Sequence, residues 1–385
     1  MNAQTDHPPS FWEREAFLTH IDFLIIGAGI VGLNAALFLR KQRPHDRIVV
    51  LERGGLPLGA STRNAGFACF GSMTELIDDL SHQDAAEVWG LVARRYKGLG
   101  VLRKTVGDQQ LRYEACGGYE VFTADQEELY QQCLDQLPYF NREMAGITGV
   151  EETFRPADHL IQKLGLRDVS HLVINNGEGH LHPGYMVRTL LKIAAQQNIE
   201  VRTGVEVRNL QPHANGVSLE INRGWPLEAN RVLVATNGFA HRLLPRLPLK
   251  PARNQVLITR PIPGLRLRGT FHYNQGYVYF RDVGDRLLLG GARNMAAEEE
   301  ATDAFGTTDV IRESLLRFAS RHLFPGLPET PVEQWWSGIL GVGETKKPIV
   351  EMVDNRLAVA VRLGGMGVAL GSLLGEEGAR LLMDC

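Results

Sequence analysis

The chain has 385 residues, 44% of them apolar and 22% charged, with a formal net charge of −3. That length holds two domains or one large layered one, and the composition is that of a soluble globular protein. The faintly acidic balance argues against a nucleic-acid surface, which needs a basic excess.

Cys69, Cys116, Cys133 and Cys385 are widely spaced with no C-x-x-C pair. Neither a zinc site nor a disulfide framework is expected, no metal is assigned, and a reducing compartment is the default. No apolar run approaches the roughly 18 residues needed to span a bilayer. The first twenty residues lack an apolar signal core, so a cytoplasmic protein is expected. Phe11 and Trp12 are expected to pin an N-terminal arm, residues 1–19, to the body.

The first element, IDFLIIGAGIVGLNAALFLRKQ, runs from a buried strand through a glycine turn into a helix with apolar residues at Ile30, Leu33 and Leu37. Pro44 and His45 break it, and RIVVLE (47–52) is a second buried strand. Strand, helix and strand in this spacing form a βαβ unit of a parallel sheet. Gly27, Gly29 and Gly32 make the pattern G-x-G-x-x-G in its required context. The first glycine permits the tight turn, the second lets backbone approach a pyrophosphate, and the third lets helix pack on strand. Free amides at the helix start bind phosphate. Glu52 lies 20 residues beyond Gly32, where a carboxylate accepts hydrogen bonds from ribose hydroxyls. A dinucleotide is expected here.

A second glycine-rich stretch, Leu58 to Ser72, follows. Its small residues let the chain run flat against a planar ligand, and Arg63 can offset phosphate or flavin charge. From Asp84 to Leu137 a helical stretch, a strand and another helix read as material outside the first sheet. Met186–Asn198 is an amphipathic helix, followed by strand and hairpin patterns that end in the buried strand Val232-Leu233-Val234-Ala235-Thr236-Asn237-Gly238. Between Pro251 and Gly291 come NQVLITRP, GYVYFRD and DRLLLGGA, and the tail is again strand, glycine turn and helix. This order predicts a discontinuous nucleotide-binding domain over 20–82, 165–248 and 330–385. A substrate domain over 83–164 and 249–329 is threaded into it.

GAGIVGL, the GAST-R-N-A-G loop, the ATNG strand end and the GGMGV helix start, in this order, resemble the D-amino-acid oxidase superfamily of FAD enzymes. Glycine, sarcosine and glutamylputrescine oxidases belong to it. The resemblance runs from about Ile21 to Met383. It implies FAD and an α/β fold: a Rossmann-like FAD-binding domain, a parallel sheet with helices, carrying an inserted α+β substrate domain on a mostly antiparallel sheet. By that resemblance Gly27, Gly29, Ile30, Val31 and Gly32 receive the dinucleotide, and Glu52 and Arg53 meet its adenosine. Ala60, Ser61, Arg63, Asn64, Ala65, Gly66 and Phe67 follow the pyrophosphate and ribityl chain. Val207 holds adenine through its backbone, and Ala235, Thr236 and Gly238 end a strand at the dinucleotide. Gly338 lies on a wall strand beside the flavin. Gly364, Gly365, Gly367 and Val368 bring a helix N-terminus to the flavin pyrimidine ring, which stabilises negative charge there by about 0.3–2 kcal/mol. No second G-x-G-x-x-G follows a strand, so no pyridine-nucleotide site is expected.

Amino-acid oxidases of this superfamily often hold the substrate carboxylate with the arginine of a W-x-G-x-R stretch, a bidentate fork. Here Trp336-Ser337-Gly338-Ile339-Leu340 puts Leu340 at that place. Glutamylputrescine-type members also lack the arginine, so an amine donor stays allowed. The substrate-pocket candidates are Phe67, Tyr279, Arg281, Trp336 and Leu340, with Arg281 or Lys346 as replacement cations. Alternation puts Tyr277, Tyr279 and Arg281 on one face of a strand, turned to the flavin or to solvent. His180 and His182 read as loop-ordering residues. Cys69 reads as a small buried residue rather than a covalent flavin link.

The implied reaction is hydride transfer to flavin N5 from a C–H beside nitrogen, with a small amine or amino acid as donor and oxygen or another carrier as acceptor. The amine must be neutral, and no dedicated base is required. An FAD-dependent 2-hydroxy-acid-type dehydrogenase on the same fold, and a flavin-binding subunit without its own turnover, stay open.

Overall fold

The computed structural model describes residues 8–222, 224–323 and 332–384. Two eight-stranded sheets organise the described residues. Ile21–Ile26 and Ile48–Glu52 are almost wholly apolar because both faces of their sheet are covered. They pair in parallel, and the sheet continues in parallel through Pro226–Val234 to Leu357–Val361 and through Glu200–Thr203. Ile349–Asp354 adds an antiparallel edge, and the hairpin Val207–His213 and Gly216–Ile221 pairs antiparallel onto Pro226–Val234.

Helices Ile30–Gln42 and Gly367–Met383 cross on one face of this sheet, so the two ends of the chain share one core. Glycine permits that crossing. A Cβ on Gly375 would lie 2.5 Å from the Val31 carbonyl oxygen, and one on Gly371 would strike the Ile30 side chain. Helix Ala85–Val106 approaches the same terminal helix through Gly98, whose added Cβ would sit 2.2 Å from the Ala369 carbonyl oxygen.

The second sheet runs in the order 332–342, 250–259, 286–291, 278–283, 270–273, 118–122, 171–175 and 154–156. Only Thr270–Tyr273 with Gly118–Phe122 is parallel. Helix Asp309–His322 covers one face with Ile311, Leu315 and Ala319. Asn254, Val256, Tyr279 and Gly338 of this sheet line a cavity together with the strand ends Ile26, Leu51 and Glu52 of the first.

Two sequence expectations change. His171–Asn175 and Val332–Val342 pair within the second sheet, although sequence alone places 165–248 and 330–385 with the first. An alternating strand names its two faces but not the sheet it joins. The expected boundary at 329/330 lies outside the described residues. Phe11 and Trp12 do not pin the arm: they are 58% and 74% exposed. Polar contacts anchor the arm instead, Arg47 donating to the carbonyls of Thr19 and Ala16, with Leu18 buried. Residues 1–7 of the arm lie outside the described residues. Among the described residues no helix is long and apolar enough to cross a membrane.

The helix crossing gives a direct test. Gly375→Val should destabilise the fold by about 1–3 kcal/mol, since backbone rather than a mobile side chain blocks the new methyls. Gly100→Ala, where nothing lies within 4 Å of an added Cβ, should be neutral or stabilising by up to about 1 kcal/mol. Urea midpoints measure both, and equal midpoints would contradict the packing described.

Candidate active site

A cavity of about 490 Å³ runs between the sheets. At one end lie Gly27, Gly29, Ile30 and Val31, with Glu52, Arg53 and Val207 beside them. Gly59 to Ala65 (Thr62 apart) form the middle, with Ala235 and Thr236 opposite. At the far end Gly338, Leu340 and Gly364 to Ala369 face Phe67, Asn254, His272 and Tyr279.

The polar groups are ordered along this length. Glu52 sits where strand Ile48–Glu52 ends; its Oε2 accepts from the Ala28 amide (3.2 Å) and its Oε1 from Gly54 (3.0 Å). Burial pushes its carboxyl up, while those amides and Arg53 pull it down. Each oxygen keeps a lone pair for another donor. The Ile30 amide, at the start of the first helix, donates to Ser61 Oγ (2.9 Å). Asn64 folds its own loop, donating to the Ala60 and Ser61 carbonyls and accepting from the Gly66 amide. Arg63 Nη1 donates to the Ser337 carbonyl (2.9 Å), but its Nε is buried without a hydrogen-bond partner, as is Thr236 Oγ1 on the cavity wall.

At the far end Gly364 and Gly365 are left-handed, with φ of 57° and 91°, and a Cβ on either would meet no atom within 4 Å. They lead into helix Gly367–Met383, whose N-cap Met366 supplies no side-chain acceptor. Its first amides and the positive end of its dipole therefore face the cavity. An elongated ligand with a diol at one end, an anionic middle and an electron-rich ring at the other meets suitable partners in that order.

The far end also carries charge. Lys346 Nζ lies 3.0 Å from Glu75 Oε1 and 2.8 Å from Asp79 Oδ1, and Arg95 Nη1 is 3.3 Å from Glu75. Burial works to raise the Glu75 carboxyl, but Arg95 and Lys346 outweigh it and hold it at about 2. Asp78, His272, Arg293 and Tyr277 complete this end. Tyr279 Oη accepts from Asn254 Nδ2 (3.3 Å), and burial raises its phenol, which stays a neutral donor. Among the described residues no group of His, Cys, Asp and Glu is placed to hold a metal.

Five residues expected at the site stand off the cavity. Gly32, Gly66 and Gly238 are packing glycines: an added Cβ would lie 2.0 Å from the Gly27 carbonyl oxygen, 2.2 Å from that of Leu181 and 2.3 Å from that of Leu340. Trp336 turns its indole N–H to the Arg63 carbonyl (3.0 Å). Arg281 is 5% exposed; Tyr277 and Tyr279 reach the cavity, but it does not. Burial lowers the Arg281 guanidinium to about 10, and its Nε and Nη1 have no hydrogen-bond partner. His182 caps helix Pro183–Gln196 through the Tyr185 amide. Burial, aided by the Arg281 charge, holds His180 at about 4. Cys69 does line the cavity, with burial keeping its thiol protonated. Sequence reasoning missed Glu75, Asp78, Asn254, His272 and Arg293, which belong to no motif and meet only through the second sheet and helix Met73–His82.

The pattern of the family described as FAD dependent oxidoreductase (DAO) matches residues 22–381. "Probable oxidoreductase OrdL" of Rhizobium meliloti is 24% identical over 379 residues, covering 94% of this chain and 83% of that protein. The L-2-hydroxyglutarate dehydrogenase of Escherichia coli K12 is 25% identical over 256 residues, covering 66% of this chain and 55% of that protein. The crystal structure of iminodiacetate oxidase from Chelativorans sp. BNC1 shares the fold, with a TM-score of 0.77 at 20% identity over 94% of this chain and 95% of that one. The chain belongs to the FAD-dependent oxidoreductase family of the D-amino-acid oxidase superfamily, and it is an enzyme whose cofactor is FAD.

Proposed function

We propose that this enzyme oxidises the carbon–nitrogen bond of a small amine or amino acid, with oxygen or another carrier taking the electrons. The observation that carries the reading is the pair of opposite charges at the far end of the cavity. Asp78 comes from helix Met73–His82, and Arg293 comes from the turn after strand Arg286–Gly291, whereas Glu75 beside them is already balanced by Arg95 and Lys346. Asp78 and Arg293 together complement a zwitterion, whereas a hydroxy acid offers no positive group to the acid. Lys346 is already satisfied by two carboxylates, and position 340 is leucine. Arg293, for which no ion pair is seen among the described residues, is therefore the cation for a substrate carboxylate.

FAD supplies the hydride acceptor when bound. Glu52 and Arg53 would hold its adenosine ribose, the turn Gly27–Val31 with Ser61 and Arg63 its pyrophosphate, and Gly338 with Gly364–Val368 its ring. Tyr279 and Phe67 would wall in the donor and limit the access of water to the reacting carbon. A second reading, oxidation of a 2-hydroxy acid, is favoured by the relative named L-2-hydroxyglutarate dehydrogenase.

Anaerobic mixing of the FAD-loaded enzyme with glycine, iminodiacetate, putrescine and L-2-hydroxyglutarate separates the readings. Bleaching of the flavin band by one of the three nitrogen compounds, and not by the hydroxy acid, is expected. Bleaching by the hydroxy acid alone would replace the proposal with the second reading, and full FAD loading without bleaching by any donor would point to a flavin-holding subunit. Arg293→Ala should raise KM for an amino-acid donor roughly tenfold to a hundredfold, the loss of a charged hydrogen bond of about 1.5–3 kcal/mol. An unchanged KM would remove Arg293 from substrate binding. Glu52→Ala should weaken FAD binding by a similar factor of roughly tenfold or more; an unaltered FAD Kd by fluorescence titration would overturn the assignment of that end.

A further inference from the structure

His272 is the cavity residue that no motif announced, and its surroundings are specific. It lies on strand Thr270–Tyr273, in register with Tyr279 on one neighbour and Glu120 on the other. The edge of the Phe67 ring packs against it at 5.2 Å. Its side chain is 12% exposed, and the two ring nitrogens face different ways. Nδ1 is on the side of Gly276, a cavity residue, where an added Cβ would lie 3.8 Å from it. Nε2 is buried without a hydrogen bond, 3.7 Å from Glu178 Oε2.

Glu178 is held in place. Its Oε1 accepts from the amides of Phe70 (3.0 Å) and Gly71 (3.3 Å), so Oε2 is the oxygen left for His272. Residue 118 must be glycine for it to fit, because a Cβ there would lie 2.0 Å from Oε2. A fixed carboxylate beside Nε2 selects the neutral tautomer with hydrogen on Nε2 and leaves the Nδ1 lone pair toward the cavity.

Resting on the amine-oxidation reading, we propose that His272 is a catalytic proton acceptor, taking one N–H proton of the donor ammonium at Nδ1 while Glu178 stabilises the resulting imidazolium through Nε2. One N–H bond of the ammonium breaks, and its electron pair stays on nitrogen as a lone pair. The imidazole gains that proton, and the donor becomes the neutral amine from which a C–H can leave with its electron pair. An ammonium has no lone pair to support that departure. Its own pKa lies at about 8–10, so at neutral pH a proton acceptor raises the share of neutral amine, although the sequence alone called for no dedicated base.

The charges around the ring favour this role. Glu178, Glu120 and Glu75 all raise His272 against the opposing effect of burial. Arg95 and Lys346 face Glu75 rather than the ring, and burial keeps Tyr279 and Cys69 neutral. A raised histidine is a stronger base, nearer in pKa to the amine that it deprotonates.

Two measurements on the FAD-loaded full chain test the proposal. In the ¹⁵N spectrum of histidine-labelled protein, the signal lost in His272→Asn should titrate above the ordinary histidine value and move down in Glu178→Gln. A signal at or below the ordinary value, or one untouched by Glu178→Gln, overturns the pairing. The second measurement is the pH profile of kcat/KM, using whichever of glycine, iminodiacetate and putrescine bleaches the flavin fastest. In His272→Asn the acid limb should shift up to the donor's own ammonium pKa, with roughly a hundredfold loss at pH 7 and little loss on the alkaline plateau. An unmoved limb, or an equal loss at every pH, refutes the role. If none of the three bleaches the flavin, the functional reading falls and the proton-acceptor role with it, whereas the titration still decides the Glu178–His272 pairing. Should His272→Asn fail to fold, His272→Gln serves both measurements.

Discussion

Two reciprocal hydrogen bonds hold the site together. Arg63 Nη1 donates to the Ser337 carbonyl, and the Trp336 indole donates to the Arg63 carbonyl. One partner is the loop that follows the first βαβ unit; the other is the strand Val332–Val342, which belongs to the second sheet. These bonds fix that loop against the strand along one wall of the cavity. Gly338 sits between them, with an added Cβ only 3.3 Å from the Arg63 Cβ. The aromatic, glycine-rich character of QWWSGILGV follows: the tryptophan ties the strand to the loop, and the glycine lets the strand approach it.

Much of the Gly27–Glu52 end of the cavity was legible in the sequence because its information is local. Gly27 and Gly29, the helix they open and Glu52 at the next strand end lie within one βαβ unit, and each does there what its backbone setting requires. Glycines read less well one by one. Gly66 and Gly238 resemble ligand-facing glycines in sequence, yet their missing side chains make room for protein carbonyls. A glycine says that something comes close, not whether that is a ligand or another strand. Ser61 and Asn64 also differ in kind from the expectation, for much of their polar capacity is spent on capping the helix and shaping the loop.

At the far end of the cavity Phe67, Tyr279, Leu340 and Lys346 were legible, whereas the charged cluster was not, for a different physical reason. Glu75, Arg95, His272 and Lys346 come from two helices, a strand and a loop, so no spacing links them. Only tertiary packing reveals that the lysine is neutralised by two acids rather than waiting for a substrate. Arg281 shows the converse. Strand alternation correctly puts it on one face with Tyr277 and Tyr279, but a face extends further than a cavity, and the guanidinium lies beyond reach. Its charge still acts at a distance, adding to the burial that lowers His180.

Gly118 opens the strand Gly118–Phe122, where glycine costs conformational entropy and contributes no packing. What it provides is a notch of one methyl's width, filled by a carboxylate. The strand thereby carries an acid's address in its backbone, although the acid itself belongs to a different segment. A substitution at 118 would displace Glu178 without touching the cavity wall. The damage would be felt first as a change in the proton affinity of His272, and only afterwards as a loss of fold.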